Sequence, residues 1–158
     1  MYVPVSRPLL GEEEIKHVLS ALKKGDISGF RGDFIGEFEE GFAQFCQTKY
    51  AVTVSSGTTA LHLALATLNI GLGDEVLVAT FTNMATFFAV LYQGAKPIPI
   101  DIDPRTLNLN PNLLEEKITS KTKAIIVVHI YGHPVDMDPV LQIAKKHHLF
   151  VIEDAAEA

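Results

Sequence analysis

The stretch Val52-Thr53-Val54-Ser55-Ser56-Gly57-Thr58-Thr59-Ala60-Leu61-His62-Leu63-Ala64-Leu65 runs from a β-branched segment through a turn of small residues into an apolar helical segment. Its reading decides the fold, because a strand that turns directly into a helix is the repeating joint of α/β proteins. Ser55 to Thr59 also gather short hydroxyls and the first backbone N–H groups of a helix at one point. Those donors lack intrahelical partners and sit at the positive end of the macrodipole, so the joint suits a phosphate. Ser and Thr are equally the ordinary caps of such a joint, and the stretch alone leaves cap and anion cradle both open. It matches neither G-x-x-x-x-G-K-[ST] nor G-x-G-x-x-G, which disfavours a nucleoside triphosphate or a dinucleotide.

From Tyr50 onward, short apolar runs alternate with helical periodicity. Tyr50–Val54, Glu75–Ala79, Lys96–Asp101, Ala124–His129 and Leu149–Asp154 are β-branched and lack polar alternation, as strands covered on both faces require. A helix from Thr82 carries Met84, Phe87, Phe88 and Leu91, and Asn110-Pro111 and Asp138-Pro139 each supply an N-cap followed by proline. This order predicts an α/β fold with a three-layer, mainly parallel, doubly wound sheet over residues 49–158. Ahead of it, residues 1–48 form a helical lead. Ile15, Val18, Leu19 and Leu22 mark one amphipathic helix, Ile35, Phe38, Phe42 and Phe45 mark the buried stripe of a second, and Gly25–Gly36 is an irregular loop.

At 158 residues and 47% hydrophobic, the chain can bury one sizeable core. A net charge of −6 argues against a nucleic-acid surface, which needs clustered Lys and Arg; Lys23-Lys24 and Lys145-Lys146 read as solvated helix ends. Cys46 is the sole cysteine, so no internal disulfide forms; it reads as a structural thiol in a reducing, cytoplasmic compartment. No signal peptide is visible, and no apolar run approaches the ~18 residues of a membrane span.

Ligands of open parallel sheets gather beyond the carboxyl ends of the strands. Ser55–Thr59, Thr80–Asn83, Asp101–Asp103, His129–His133 and Asp154–Glu157 follow the five predicted strands in turn. Asp154 ends an apolar strand without a cation in its own segment, so it is an N-cap or the partner of something basic in the pocket, such as a pyridinium nitrogen. His129 and His133 lie four apart but across a Tyr-Gly turn with no third ligand, and they read as structural residues, not a metal pair. Asp101 and Asp103 read as turn residues near Pro104, and His62 as a packed, hydrogen-bonded helix residue.

Five motifs in order, Val54-Ser-Ser-Gly-Thr-Thr-Ala-Leu-His-Leu-Ala-Leu65, Gly73-Asp-Glu-Val-Leu-Val78, Gly94-Ala-Lys-Pro97, His129-Ile-Tyr-Gly-His-Pro134 and Val151-Ile-Glu-Asp-Ala-Ala-Glu-Ala158, resemble the successive signatures of the DegT/DnrJ/EryC1/StrS family. The resemblance implies the large domain of a type I aminotransferase that uses pyridoxal 5'-phosphate to aminate nucleotide-linked keto sugars, with glutamate as donor and a homodimer as the assembled form. It implies that Ser56, Gly57 and Thr58 hold the cofactor phosphate, that Asp154 pairs with the pyridine nitrogen, and that Glu157 lies near the cofactor hydroxyl. Many members place an aromatic residue after Phe81-Thr82 to stack on the ring; Asn83 stands there instead, an amide plane with less apolar contact. Phe81 and Phe87 read as core. The Met1-Tyr-Val-Pro-Val5 opening and the His129–Met137 run are most similar to members acting on GDP-4-keto-6-deoxymannose.

Transamination also needs a lysine, which the family carries downstream of the Asp-Ala-Ala motif. Lys96, Lys121, Lys123 and Lys145 stand in turn or helix-surface contexts and match no such motif. The expectation is therefore the N-terminal part of a longer enzyme, without a catalytic residue of its own, inactive alone and poorly soluble or only partly folded. Two alternatives stay open: a family dehydratase, in which histidine replaces the lysine, and a non-catalytic cofactor-binding fragment.

Overall fold

The computed structural model describes residues 7–29 and 33–158. The Met1–Val5 opening and the Phe30–Gly32 part of the Gly25–Gly36 loop lie outside them. The chain divides into two compact units, Met1–Thr53 and Val54–Ala158.

The first unit holds helices α1 (Glu12–Lys24) and α2 (Phe34–Phe45). The charge order of α1 suits its macrodipole, with Glu12, Glu13 and Glu14 in the first turn and Lys23 and Lys24 in the last. Glu14 accepts from the Gly11 N–H at 2.6 Å, and Gly25 closes the helix at φ +75°, a conformation that costs glycine little. The apolar stripes form as the periodicity predicts but are not buried within this unit. Val18 and Leu22 remain 60% and 59% exposed, Phe38 57% and Phe45 85%. Amphipathic spacing specifies a face and not what covers it. Cys46 caps α2 and is exposed, so it is not a packed structural thiol.

The second unit is the α/β core, with α3 (Gly57–Thr67), β1 (Glu75–Ala79), α4 (Met84–Tyr92), β2 (Lys96–Ile100), β3 (Thr122–Val128), α5 (Met137–His147) and β4 (Phe150–Asp154). The strands are all parallel, in the order β2-β1-β3-β4. β1 and β3 are central and almost wholly buried, which explains their continuous apolar runs. Pro97 and Pro99 donate no ladder hydrogen bond and confine β2 to an edge. One face of the sheet, Val76, Val78, Ala124 and Ile126, packs on Leu61 and Leu65 of α3 and Ala89 and Val90 of α4. The other, Leu77, Ala79, Ile125 and Val127, packs on Val140 and Ala144 of α5 with Leu109 and Leu114. The result is three layers, wound both ways from β1.

Two expectations fail here. Tyr50–Val54 forms no strand: the Thr53 N–H and hydroxyl both bond the Glu39 carboxylate, at 2.7 and 2.8 Å, and Tyr50 and Val52 are exposed. β-branching selects an extended backbone but supplies no ladder partner. The cap of α5 is Asp136, not Asp138, so the helix starts two residues early and Pro139 stands inside its first turn, where a missing N–H costs nothing. Asn110 does cap, its side chain accepting from the Asn112 N–H, but the element is a single 3₁₀ turn, Pro111–Leu113.

After β2, Asp103 and Arg105 form a doubly bonded pair, with Arg105 Nη2 2.7 Å and Nε 3.1 Å from the carboxylate oxygens. The Arg105 side chain, then its backbone N–H, hold the Asp103 carboxyl down at about 2. The pair's contribution is thus present above the ordinary value of 3.8 and is lost as pH falls through about 2. Arg105→Ala should raise the Asp103 midpoint toward 3.8, read from the side-chain carboxyl ¹³C shift during acid titration.

Candidate functional site at the carboxyl edge

The chain leaves β1 through α4 toward β2 and leaves β3 through α5 toward β4, on opposite faces. The carboxyl ends of β1 and β3 therefore flank the switch point, where open α/β sheets bind ligands. Gly71, just past α3, lies 3.5 Å from the Gln93 carbonyl, just past α4, if a Cβ is placed on it. Both helices thus end at the amino edge of the sheet. An 11-residue helix is about 16 Å long, as is a five-residue strand, so α3 begins level with the strands' carboxyl ends.

The start of α3 is built as a donor cluster. Ser56 is its N-cap, with φ −165° and a side chain that accepts from the Thr59 N–H at 3.2 Å. The Ser55 and Ser56 hydroxyls also bond Thr59 Oγ1, at 3.1 and 2.6 Å, which fixes the cap from inside. Among the described residues the N–H groups of Gly57 and Thr58 have no acceptor. A Cβ on Gly57 would meet no atom within 4 Å, so the first turn opens onto free space.

Asp154 is the last residue of β4 and is partly buried. Its Oδ2 accepts from the Thr86 hydroxyl of α4 at 2.9 Å, and its Oδ1 from the Ala156 N–H at 3.3 Å. Each carboxylate oxygen carries two lone pairs, so capacity for a further donor remains. Glu157, three residues on, accepts from the Tyr131 N–H at 2.7 Å and ties the turn after β4 to the loop after β3. That loop is sharply bent, with Tyr131 at φ +52° and Gly132 at φ +76°; a Cβ on Gly132 would come within 3.1 Å of the Glu157 carbonyl. Asn83 is the N-cap of α4, its Oδ1 accepting from the Ala85 N–H at 3.0 Å, so the amide oxygen is committed to the helix.

Phe81 is not core. It is 39% exposed and meets Tyr131 edge to face, ring centroids 6.1 Å apart, because it lies in the loop before α4 begins. Phe87 does pack on the core. His129 is buried and bonds Glu153 and the Val135 N–H. His133 is exposed, and its bonds run through its backbone: the N–H donates to the Ile130 carbonyl and the carbonyl accepts from Asn108. His62 packs its ring on Tyr92, and its hydrogen bond runs through its carbonyl. Lys96 opens β2 and Lys123 is the second residue of β3, so neither stands in a turn. No lysine lies in the loops at the carboxyl edge, and no cluster of three metal-ligating side chains occurs among the described residues. Sequence reasoning missed Thr86, whose one signal was a lone hydroxyl in the apolar segment Met84-Ala-Thr-Phe-Phe-Ala-Val90.

The profile of the DegT/DnrJ/EryC1/StrS aminotransferase family matches residues 8–158. The chain belongs to this family. It is 49% identical over 156 residues to a GDP-perosamine synthase of Caulobacter vibrioides, covering 99% of this chain and 42% of that protein. Among solved structures it superposes on an aminotransferase from Psychrobacter cryohalolentis with a TM-score of 0.93 at 39% identity, over 98% of this chain and 40% of that one. A GDP-4-keto-6-deoxymannose-3-dehydratase superposes with a TM-score of 0.88 at 30% identity, over 99% of this chain and 42% of that one. The chain thus spans about two fifths of the length of the family members it matches and shares with them the parallel sheet whose carboxyl edge carries Ser56, Asp154 and Glu157.

Proposed function

We propose that this carboxyl edge docks pyridoxal 5'-phosphate, and that the chain serves an enzyme transferring an amino group from glutamate to a nucleotide-linked 4-keto-6-deoxy sugar. GDP-perosamine formation is the specific reaction favoured, by likeness to the Caulobacter synthase, in a cytoplasmic homodimer. The observation that carries the reading is the pairing of two unpartnered helix donors with a carboxylate that has spare acceptor capacity, both at one sheet edge. The residues fit the cofactor: Gly57 and Thr58 offer N–H groups to its phosphate beside the Ser56 cap, and Asp154 offers a carboxylate to its ring nitrogen. When bound, the cofactor supplies a heterocycle that withdraws the electron pair left at a substrate carbon as its proton departs. Asp154 favours the protonated ring nitrogen by accepting its hydrogen bond. Glu157 would serve the cofactor hydroxyl, and Asn83 would offer its amide plane in place of an aromatic face.

Gly57→Pro tests the cradle. Proline is well tolerated as the first residue of a helix, and the extended Ser56 backbone is what a residue before proline adopts. The variant removes one phosphate donor and places its ring in open space. Affinity for pyridoxamine 5'-phosphate, by equilibrium dialysis, should fall about tenfold or more, the worth of one hydrogen bond to a charged group, while the melting temperature stays at or above that of the parent. Unchanged affinity would remove phosphate from this joint.

The likeness to the 3-dehydratase supports a second reading, sugar deoxygenation on the same cofactor. Borohydride trapping of pyridoxal phosphate on the full-length protein separates the two: a lysine adduct supports transamination, its absence the dehydratase.

A further inference from the structure

Thr86 is wholly buried on α4, the least accessible polar residue among those described. Its Oγ1 lies 2.9 Å from Asp154 Oδ2, 68 positions away in the chain, and 2.9 Å from Thr82 Oγ1. The direction of these bonds follows from counting protons. A hydroxyl has one, a carboxylate has none, so Thr86 donates to Asp154. Thr86 can then only accept from Thr82, and the order runs Thr82 to Thr86 to Asp154.

A helical threonine ordinarily returns its hydroxyl to the carbonyl of the preceding turn. Thr86 sends its hydroxyl to a strand instead. For packing alone, valine would fill the same volume without burying a polar group. The second oxygen of Asp154 is engaged by the Ala156 N–H, so the carboxylate is gripped from the helix on one side and from its own turn on the other. Neither contact occupies all the lone pairs.

We infer that Thr86, oriented by Thr82, is a positioning residue that sets the Asp154 carboxylate for the nitrogen of the cofactor ring. The inference rests on the cofactor reading above and adds a specific division of labour to it: Asp154 meets the ring, Thr86 decides how.

The test uses the 158-residue chain with two probes, pyridoxamine 5'-phosphate and its 1-deaza analogue, in which CH replaces the ring nitrogen. Thr86→Val should weaken the first by about fivefold to tenfold and leave the second unchanged, while Thr86→Ser, which keeps the hydroxyl, should bind both as the parent does. A purely structural role would move both probes together. Thr82→Val should give a smaller loss, about twofold, again confined to the nitrogen-bearing probe; it carries the test if Thr86→Val does not fold. Equal binding of pyridoxamine 5'-phosphate by the parent and the hydroxyl-free variants, or an equal loss of both probes, overturns the inference. Failure of the parent to bind, or of Asp154→Asn to weaken pyridoxamine 5'-phosphate, overturns the cofactor reading and with it the role of Thr86. An effect of Asp154→Asn without one of Thr86→Val overturns the positioning role alone.

Discussion

Asp154→Ala should lower the affinity for pyridoxamine 5'-phosphate by about 2–5 kcal/mol, at least ~30-fold, because truncating one partner of a desolvated, hydrogen-bonded charge pair leaves the other uncompensated. The same change removes the acceptor of the wholly buried Thr86 hydroxyl and leaves it only Thr82 Oγ1 to donate to, so the fold should weaken by about 1 kcal/mol as well. Asp154→Asn separates the two effects. Its amide oxygen can still accept from Thr86, so the urea midpoint should stay near that of the parent. It brings no negative charge to the ring, so the binding loss should persist. Equilibrium dialysis and urea unfolding on the three proteins read both quantities. If alanine weakens stability but not binding, Asp154 is a structural carboxylate, and the site lies elsewhere.

The strands of the core were legible because their physics is local. β1 and β3 are buried on both faces, so every residue from Val76 to Ala79 and from Ala124 to Val128 must be apolar, and the run announces itself. Asp154 and Glu157 could be placed at the carboxyl edge for a related reason, since in an alternating α/β chain the residues that follow a strand share that edge; Ser56 and Gly57 follow no strand and stand there because α3 begins level with the strands' carboxyl ends. What was not legible depends on partners distant in sequence. Tyr50–Val54 has the composition of a strand, but Glu39 takes the Thr53 N–H. The stripe from Ile35 to Phe45 has the spacing of a buried face, yet Phe38 and Phe45 stay 57% and 85% exposed. Phe81 looks like the first turn of an apolar helix until Asn83 is seen to cap it two residues later. Thr86 and Asp154, 68 positions apart, meet only in the fold, where the first turn of α4 reaches the carboxyl end of β4.

His129→Ala should destabilise the α/β unit by about 2–4 kcal/mol. His129 is 8% exposed at the end of β3. Its Nδ1 lies 3.1 Å from the Val135 backbone nitrogen, and since that N–H can only donate, Nδ1 accepts. Its Nε2 donates to Glu153 of β4 at 3.0 Å. One imidazole thus joins two strands to the loop that carries Tyr131. Alanine leaves the Val135 N–H, in a residue only 4% exposed, without an acceptor, and opens a void beside it. Asparagine, whose Oδ1 stands where Nδ1 stood, should restore the Val135 bond but not the Glu153 bond and recover about half the loss. The consequence reaches the site through Tyr131, whose N–H is held by Glu157. Amide hydrogen exchange should therefore accelerate at Val135 and at Tyr131 together in the alanine variant, and at neither in the asparagine variant. Faster exchange at Val135 alone would mean that the turn after β4, not His129, holds the Tyr131 loop in its bent conformation.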